Sequence, residues 1–326
     1  MEKKEEFKSR IDLSQLKEHS SQIKEHIGKV VVGQNKMINL LLAAILADGH
    51  VLIEGVPGVA KTLTAKLLAK LIDADFSRIQ FTPDLMPSDV LGTSVFNMKT
   101  SDFQFKKGPL FSNVILIDEI NRSPAKTQAA LFEVMEERQI TIDGTTNKMG
   151  DMYFVIATQN PIEQEGTYKL PEAQLDRFLF KINVGYPEFK DEVEILNRHH
   201  QNHAVMELAD LKPILKIKDI IALREKAHQV HVEPNILKYI TKIIQETRSS
   251  KSIYLGASPR ASVALMNGAK AFAALNGRDF VTPEDVKYIT EPVIGHRIIL
   301  APEAEMEGLN IGEVTKRILH KIEVPR

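Results

Sequence analysis

The sequence predicts an α/β protein: an αβα sandwich built on a parallel sheet, followed by an all-α C-terminal domain. Three observations predict it. Between Val51 and Val184, short and continuously apolar β-rich runs alternate with helical patterns, as expected of strands covered by helices on both faces. Beyond Tyr186-Pro187 the β character stops and helical periodicity takes over. The chain has 326 residues, enough for two domains with sizeable cores.

Taken in order, residues 14–47 are mostly helical, with Leu40, Leu41, Ala44 and Ile45 on one stripe. The expected strands are Val51–Ile53, Phe76–Gln80, Val114–Ile117, Tyr153–Ala157 and Phe180–Val184. Ala129, Ala130, Leu131, Val134 and Met135 form a helical apolar stripe expected to pack beneath the sheet. Two segments interrupt the rhythm. Leu85 to Leu110 carries Ser94-Val95-Phe96 and Phe103-Gln104-Phe105 around Thr100-Ser101-Asp102, a candidate hairpin. Gln139 to Gly144 alternates into Asp-Gly, a second one. Expected helices follow at about 190–200, 218–229, 235–248, 259–275 and 283–291, with 203–217 a loop or weak helix. Thr282-Pro283-Glu284-Asp285 is a helix start, with a Thr cap, an early proline and acids at the positive end.

Composition narrows the function classes. Lys+Arg (42) nearly balances Asp+Glu (43), so no bulk attraction to nucleic acid or membrane is expected, although Lys106-Lys107 is a local basic pair. The absence of cysteine excludes disulfides and thiolate sites. The N-terminus Met1-Glu2-Lys3-Lys4-Glu5-Glu6 lacks a signal peptide's apolar core, and the most apolar stretch, Ile38 to Ala47, is too short to span a bilayer. The expectation is a soluble, cytoplasmic protein without membrane insertion.

The chemistry concentrates in Gly55-Val56-Pro57-Gly58-Val59-Ala60-Lys61-Thr62, which follows an apolar strand and runs into a helical pattern from Leu63. In that context small residues free successive N–H groups to wrap phosphates, and the helix N-terminus adds positive potential. Lys61 can reach the outer phosphates and Thr62 can offer a hydroxyl to Mg²⁺. The strict pattern has glycine where this chain has Ala60, which keeps the N–H donor and adds a methyl. The plain alternative is a Gly/Pro turn, which Lys-Thr in register disfavours. Val114–Ile117 leads into Asp118-Glu119, acids expected beside that loop at the sheet's carboxyl edge. Asp118 is expected to hold Mg²⁺ through a water and Glu119 to polarise the attacking water. A solvated helix start is the bland reading of such a pair. Asn160, after a third strand, can orient that water, although a turn Asn before Pro161 is ordinary. Arg177, before the strand at 180–184, can reach a neighbouring subunit's nucleotide, or merely pair with a surface acid. Arg260 opens a later helix and is a second candidate for the γ-phosphate.

Gly-x-Pro-Gly-x-Ala-Lys-Thr, Ile-Asp-Glu-Ile-Asn-Arg (117–122), Ala-Thr-Gln-Asn-Pro (157–161), Pro-Glu-Ala-Gln-Leu-Asp-Arg-Phe (171–178) and Ser-Pro-Arg-Ala (258–261) together resemble the MoxR family of AAA+ ATPases over about residues 28–300. The family's loop often carries alanine where Ala60 stands. The resemblance implies a P-loop αβα core with a helical lid, in a ring, usually a hexamer, with ATP at subunit interfaces. It implies Lys61 and Thr62 as Walker A, with Gly55, Pro57, Gly58, Val59, Ala60 and Leu63 around the nucleotide. It further implies Asp118 and Glu119 as Walker B, Asn160 as sensor 1, Arg177 as arginine finger and Arg260 as sensor 2, in cis or in trans. Val31-Val32-Gly33-Gln34 resembles the element beside the adenine, which makes Val32 a nucleotide contact. Arg122 lies in a family motif without an assigned role. The implied domains are a helical extension (1–27), a core (28–187) with inserts at about 85–107 and 139–149, and a lid (188–326). Relatives are chaperone-like motors acting on partner proteins, often ones with von Willebrand factor A domains.

Two other readings share these motifs. A nucleic-acid motor of helicase or clamp-loader type is disfavoured by the balanced charge and the lack of a DNA-binding module. A non-hydrolysing nucleotide switch is disfavoured by Glu119 and Asn160. His199, His200 and His203 lack accompanying carboxylates and read as a solvated helix end.

Overall fold

The computed structural model describes residues 10–99, 101–142, 144–160, 168, 170–200 and 211–325. Thr100, Asp143, Pro161, His203 and the N-terminal charge run therefore lie outside the described residues. The chain forms two compact units. One is Ile23–Ile221; the other joins the described residues up to Gln22 with those from Ala222 onward.

The first unit holds the helices α1 (Ser14–Gly28, which enters it at Ile23), α2 (Asn35–Leu46), α3 (Lys61–Leu71), α4 (Pro87–Leu91), α5 (Ala125–Glu137), α6 (Glu172–Leu175) and α7 (Phe189–His200). Its strands are β1 (His50–Gly55), β2 (Phe76–Gln80), β3 (Gly92–Asn97), β4 (Asp102–Lys107), β5 (Val114–Asp118), β6 (Gln139–Ile142), β7 (Thr145–Lys148), β8 (Phe154–Gln159) and β9 (Phe178–Val184). Five of them form the central sheet in the order β2-β5-β8-β1-β9, every pairing parallel. All five expected strands are there, and β9 begins at Phe178, two residues earlier than expected. Val51, Leu52 and Ile53 of β1 and Val114 to Ile117 of β5 are fully buried, which is why these strands read as unbroken apolar runs.

Both candidate hairpins form. β3 pairs antiparallel with β4, from Gly92 opposite Lys107 to Asn97 opposite Asp102. β6 pairs with β7, Ile142 opposite Thr145, with Gly144 at φ +73° serving the two-residue connection. The stripe on α5 is rotated from the expected one. Leu131, Val134 and Met135 are buried, but Ala129 is exposed and Phe132, Thr127 and Gln128 take the inward face. Polar bonds cause the rotation: the Gln128 amide donates to the Ile120 and Ser123 carbonyls at 3.2 and 3.0 Å, and the Thr127 hydroxyl donates to the Leu85 carbonyl at 2.7 Å.

The division between the two units falls at 221/222. Residues 189–200 and 211–216 are tied to the α/β unit by hydrogen bonds to backbone carbonyls. Arg198 of α7 donates to the Gly28 and Lys29 carbonyls at 3.1 and 2.8 Å, and the Ile214 and Leu215 amides donate to the Leu71 carbonyl at 2.7 and 3.2 Å.

The second unit contains the rest of α8 (Ile217–His228), then α9 (Pro234–Ser249), α10 (Pro259–Leu275), α11 (Pro283–Ile294), α12 (Pro302–Met306) and α13 (Ile311–Lys321). Buried alanines at 261, 264, 269, 271, 273 and 274 let neighbouring helices approach α10 closely. It also carries β character that the sequence reading missed: an antiparallel pair of β10 (Ile253–Leu255) and β11 (Ile299–Leu300), too short to show an alternation. The expected helix start at Thr282 forms a capping box, the Thr282 and Asp285 side chains each accepting the other's backbone N–H.

Asp285 is 1% exposed and takes two bonds from Arg278, at 2.6 and 2.5 Å. Asp285→Ala should remove the cap and strand the guanidinium. Because Arg278 remains 30% exposed, the expected loss is about 2–3 kcal/mol, below that for a fully buried pair. Urea unfolding of the full chain measures it.

Candidate functional site

Parallel register builds the site. Ile53 of β1 lies opposite Thr158 of β8, and Ile117 of β5 lies opposite Ala157, so the three carboxyl ends stop at one level. Everything just beyond them lands on the same edge of the sheet.

β1 delivers the loop. Gly55 is buried, and a Cβ there would stand 2.5 Å from the Val184 carbonyl oxygen, so only glycine lets β1 close against β9 at this point. Gly58 has φ +85°, and Ala60 adopts φ +59°, ψ +21° immediately before α3. For a non-glycine residue this left-handed turn costs about 1–2 kcal/mol, and residues of alternating hand are the kind of backbone that can turn successive amides toward an anion. Val59 is buried, Pro57 and Gly58 are exposed, and Thr62 and Leu63 are half-buried in the first turn of α3. Lys61 Nζ donates to the Gly55 carbonyl at 2.6 Å, spanning the loop. Partial burial lowers the affinity of this amine for its proton, while the carboxylates of Asp118 and Glu119 raise it.

β5 delivers the acids. Asp118 is 8% exposed and its Oδ2 accepts from Arg78 Nε at 2.6 Å. Glu119 follows at φ +58°, and its carboxylate accepts from the Gln80 amide at 2.7 Å and pairs with Arg122 Nε at 3.3 Å. The Thr158 hydroxyl joins the two acids, donating to Asp118 Oδ1 at 3.3 Å and accepting from the Glu119 N–H at 3.1 Å. Asn160 stands half-buried just past the end of β8, on the same edge. Thr62 and Asp118 supply hard oxygens of the kind that suit Mg²⁺, and the cationic, N–H-rich loop suits a polyphosphate.

Two expected residues lie elsewhere. Arg177 precedes β9, at the sheet's amino edge, where Phe178 lies opposite His50. The length of β9 puts it about 20 Å from the loop after Gly55. There its Nη2 meets Glu136 Oε2 at 2.7 Å, and its guanidinium lies over the Phe132 ring, 5.8 Å from the centroid. Arg260 is exposed at the start of α10 in the second unit. Val32 is half-buried beside Gly33, whose φ of +77° lies in the region that favours glycine and which faces the Asp191 side chain of α7. His199 and His200 end α7, and no cluster of three potential metal ligands occurs among the described residues.

Arg78, Gln80 and Thr158 escaped the sequence reading. Their signal was positional: polar residues near the carboxyl ends of β2 and β8, the strands flanking β5.

Residues 50–180 match the ATPase family associated with various cellular activities (AAA), and residues 245–322 match the AAA lid domain. The chain is 41% identical over 309 residues to Chaperone MoxR1 of Mycobacterium tuberculosis (strain ATCC 25618 / H37Rv), an alignment covering 92% of this chain and 81% of that one. The chain belongs to the MoxR family of AAA+ ATPases. It is 48% identical over 301 residues to the uncharacterised YeaC of Bacillus subtilis (strain 168), covering 92% and 93% of the two chains. The fold matches the crystal structure of a candidate ATPase from Cytophaga hutchinsonii ATCC 33406 with a TM-score of 0.88 and 44% identity, over 96% and 97% of the two chains. The AAA match begins at the first residue of β1 and ends within β9, so it takes in every strand of the central sheet of this MoxR-family chain. No helix among the described residues is long and apolar enough to cross a membrane.

Thr158→Val keeps the side chain's shape and deletes the hydroxyl between the two acids. It leaves the Glu119 N–H without that acceptor, an expected loss of about 1–2 kcal/mol in urea unfolding. An unchanged midpoint would show that the hydroxyl does not organise the acids.

Proposed function

We propose that this MoxR-family chain hydrolyses ATP to ADP and phosphate as a subunit of a ring-forming, chaperone-like motor that acts on a partner protein. One observation carries the reading: the loop, both acids and Asn160 share the carboxyl edge of the sheet, while Arg177 occupies the amino edge of the same unit. A site of this kind is completed by a second copy, whose Arg177 faces the first copy's nucleotide. Ring assembly, with six subunits as the proposed number, follows from repeating that contact.

In this reading the amides from Gly55 to Leu63 and the Lys61 ammonium bind the phosphates, with Val32 beside the adenine. Thr62 and Asp118 would hold Mg²⁺, which when bound would neutralise charge on the phosphate oxygens. Glu119 takes up the developing proton of the attacking water, and Asn160 orients that water toward the γ-phosphorus. Arg177 of the neighbour, and Arg260 from the lid, stabilise charge on the transferring phosphoryl group. Hydrolysis then releases the Arg177 contact, and the movement is passed to a client. The proposed client class is proteins with von Willebrand factor A domains, and the proposed compartment is the cytoplasm.

A phosphate-release assay tests the core of the reading. Glu119→Gln should lose turnover by at least about 100-fold while still retaining ATP, and Arg177→Ala should lose about 10³-fold with nucleotide affinity within a few-fold of the parent. Rapid hydrolysis by Glu119→Gln would remove Glu119 from the mechanism. For the client, Glu119→Gln held with ATP should retain a purified von Willebrand factor A domain protein that the ADP-loaded chain releases. Equal retention in both states would count against that client class.

A further inference from the structure

The last turn of α5 is fixed from both sides. On one side the Val155 N–H donates to His50 Nδ1 at 3.2 Å, which leaves Nε2 carrying the proton toward the Met135 carbonyl at 3.3 Å. His50 is 4% exposed and opens β1, so this ring bolts the helix to the amino edge of β1 and β8. On the other side Arg138, in a left-handed conformation at the helix end, pairs with Asp48 at 3.0 Å. Glu136 lies between these anchors. Its carboxylate meets one end of the Arg177 guanidinium, and Phe132, one turn back on α5, covers the face. Nη2 approaches Glu136 at 2.7 Å, and even a two-point contact with one carboxylate would leave other N–H donors of the five-donor fork for another group. A cleft of about 210 Å³ opens beside it, with Glu133 and Gln174 on its wall.

We infer that Glu136 is a positioning residue for hydrolysis in the neighbouring subunit: it holds Arg177 against Phe132 so that the free donors of the guanidinium point out of the amino edge. The inference rests on the reading of Arg177 as a group supplied in trans. Its physical content is preorganisation. An arginine held at one end and over one face gives up less rotamer freedom when it meets a phosphate than one swinging free in solvent.

The test uses full-length subunits and steady-state ATP turnover. Glu136→Ala should lower kcat about 10- to 100-fold with KM changed less than about twofold, because positioning acts on the transition state. Glu136→Gln, whose amide oxygen still reaches the guanidinium, should retain most of the rate. It also serves if the alanine variant fails to fold. Glu133→Ala, an acid of the same cleft without a contact to Arg177, should match the parent. The decisive arm mixes Glu136→Ala with an equal amount of Glu119→Gln. The second variant has no turnover of its own but carries an intact Arg177–Glu136 pair. Mixed assemblies should therefore recover to about half the parental rate per competent site, that being the share of neighbours with a positioned arginine. A rate that stays low in mixed assemblies would make Glu136 act within its own subunit and overturn the inference. If Arg177→Ala loses turnover but Glu136→Ala does not, the inference falls and the proposed function stands. If Arg177→Ala itself keeps the parental rate, the inference falls together with the reading of Arg177 as a group supplied in trans, while hydrolysis itself stands.

Discussion

The site depends on one constraint, the parallel register of β1, β8 and β5. Ile53 opposite Thr158 and Ala157 opposite Ile117 bring a loop, an acidic pair and an amide side chain, from distant parts of the chain, to one edge. A slip of one residue in β5 would turn Asp118 to the other face of the sheet and part it from Arg78 and Thr158. The register is well defended, because these strands are buried on both faces and every residue from Val114 to Ile117 has a fixed place in the core. Apolar packing thus sets the positions of the charged groups.

The acids at that edge need compensation of their own. A buried carboxylate left alone is costly, and Asp118 is almost fully covered. Arg78 provides the counter-charge from β2, and the Thr158 hydroxyl satisfies the second oxygen. Glu119, more exposed, is restrained instead by the Gln80 amide and by Arg122 three residues on. The two neighbours in sequence therefore have different environments. One is clamped by a cation at 2.6 Å, and the other is held by weaker contacts that a reorienting side chain can leave. That difference agrees with the roles proposed for them, a fixed metal ligand beside a group that turns to a water molecule.

Most of the fold was legible in the sequence, because buried parallel strands leave long apolar signatures and Thr282-Pro283-Glu284-Asp285 announces its own helix. The loop and the acids were legible for a related reason: their spacing and context are local. What escaped depended on tertiary contacts. Ala129 looked like part of a buried stripe until Gln128 and Thr127 turned their polar ends inward to reach backbone carbonyls. β10 and β11 pair across more than forty residues with too few positions to alternate. The attachment of α7 to the α/β unit rests on Arg198 reaching two carbonyls at 28 and 29, which no local pattern reveals. Arg78 and Gln80 became visible only once β2 was known to lie beside β5.

Strain in the backbone follows the same division of the sheet into two working edges. Six non-glycine residues among those described have positive φ, and all but Ser101 sit at these edges, Asp73 just before β2. Ala60 and Glu119 lie at the carboxyl edge, where the loop and the acids converge. Asp48 and Arg138 lie at the amino edge, where they pair and close the end of α5 beside Glu136. Each such residue costs roughly 1 kcal/mol or more and persists only where its surroundings leave no alternative. Those surroundings are the five-stranded sheet itself, which fixes both ends of β1: His50 in its bonds to α5 and β8, and Gly55 against Val184. A single rigid strand thus joins the edge that presents the loop after Gly55 to the edge beside Arg177. The proposed function, with a site shared between copies, uses that arrangement, because in it each subunit offers half of the chemistry at a fixed distance from the other half.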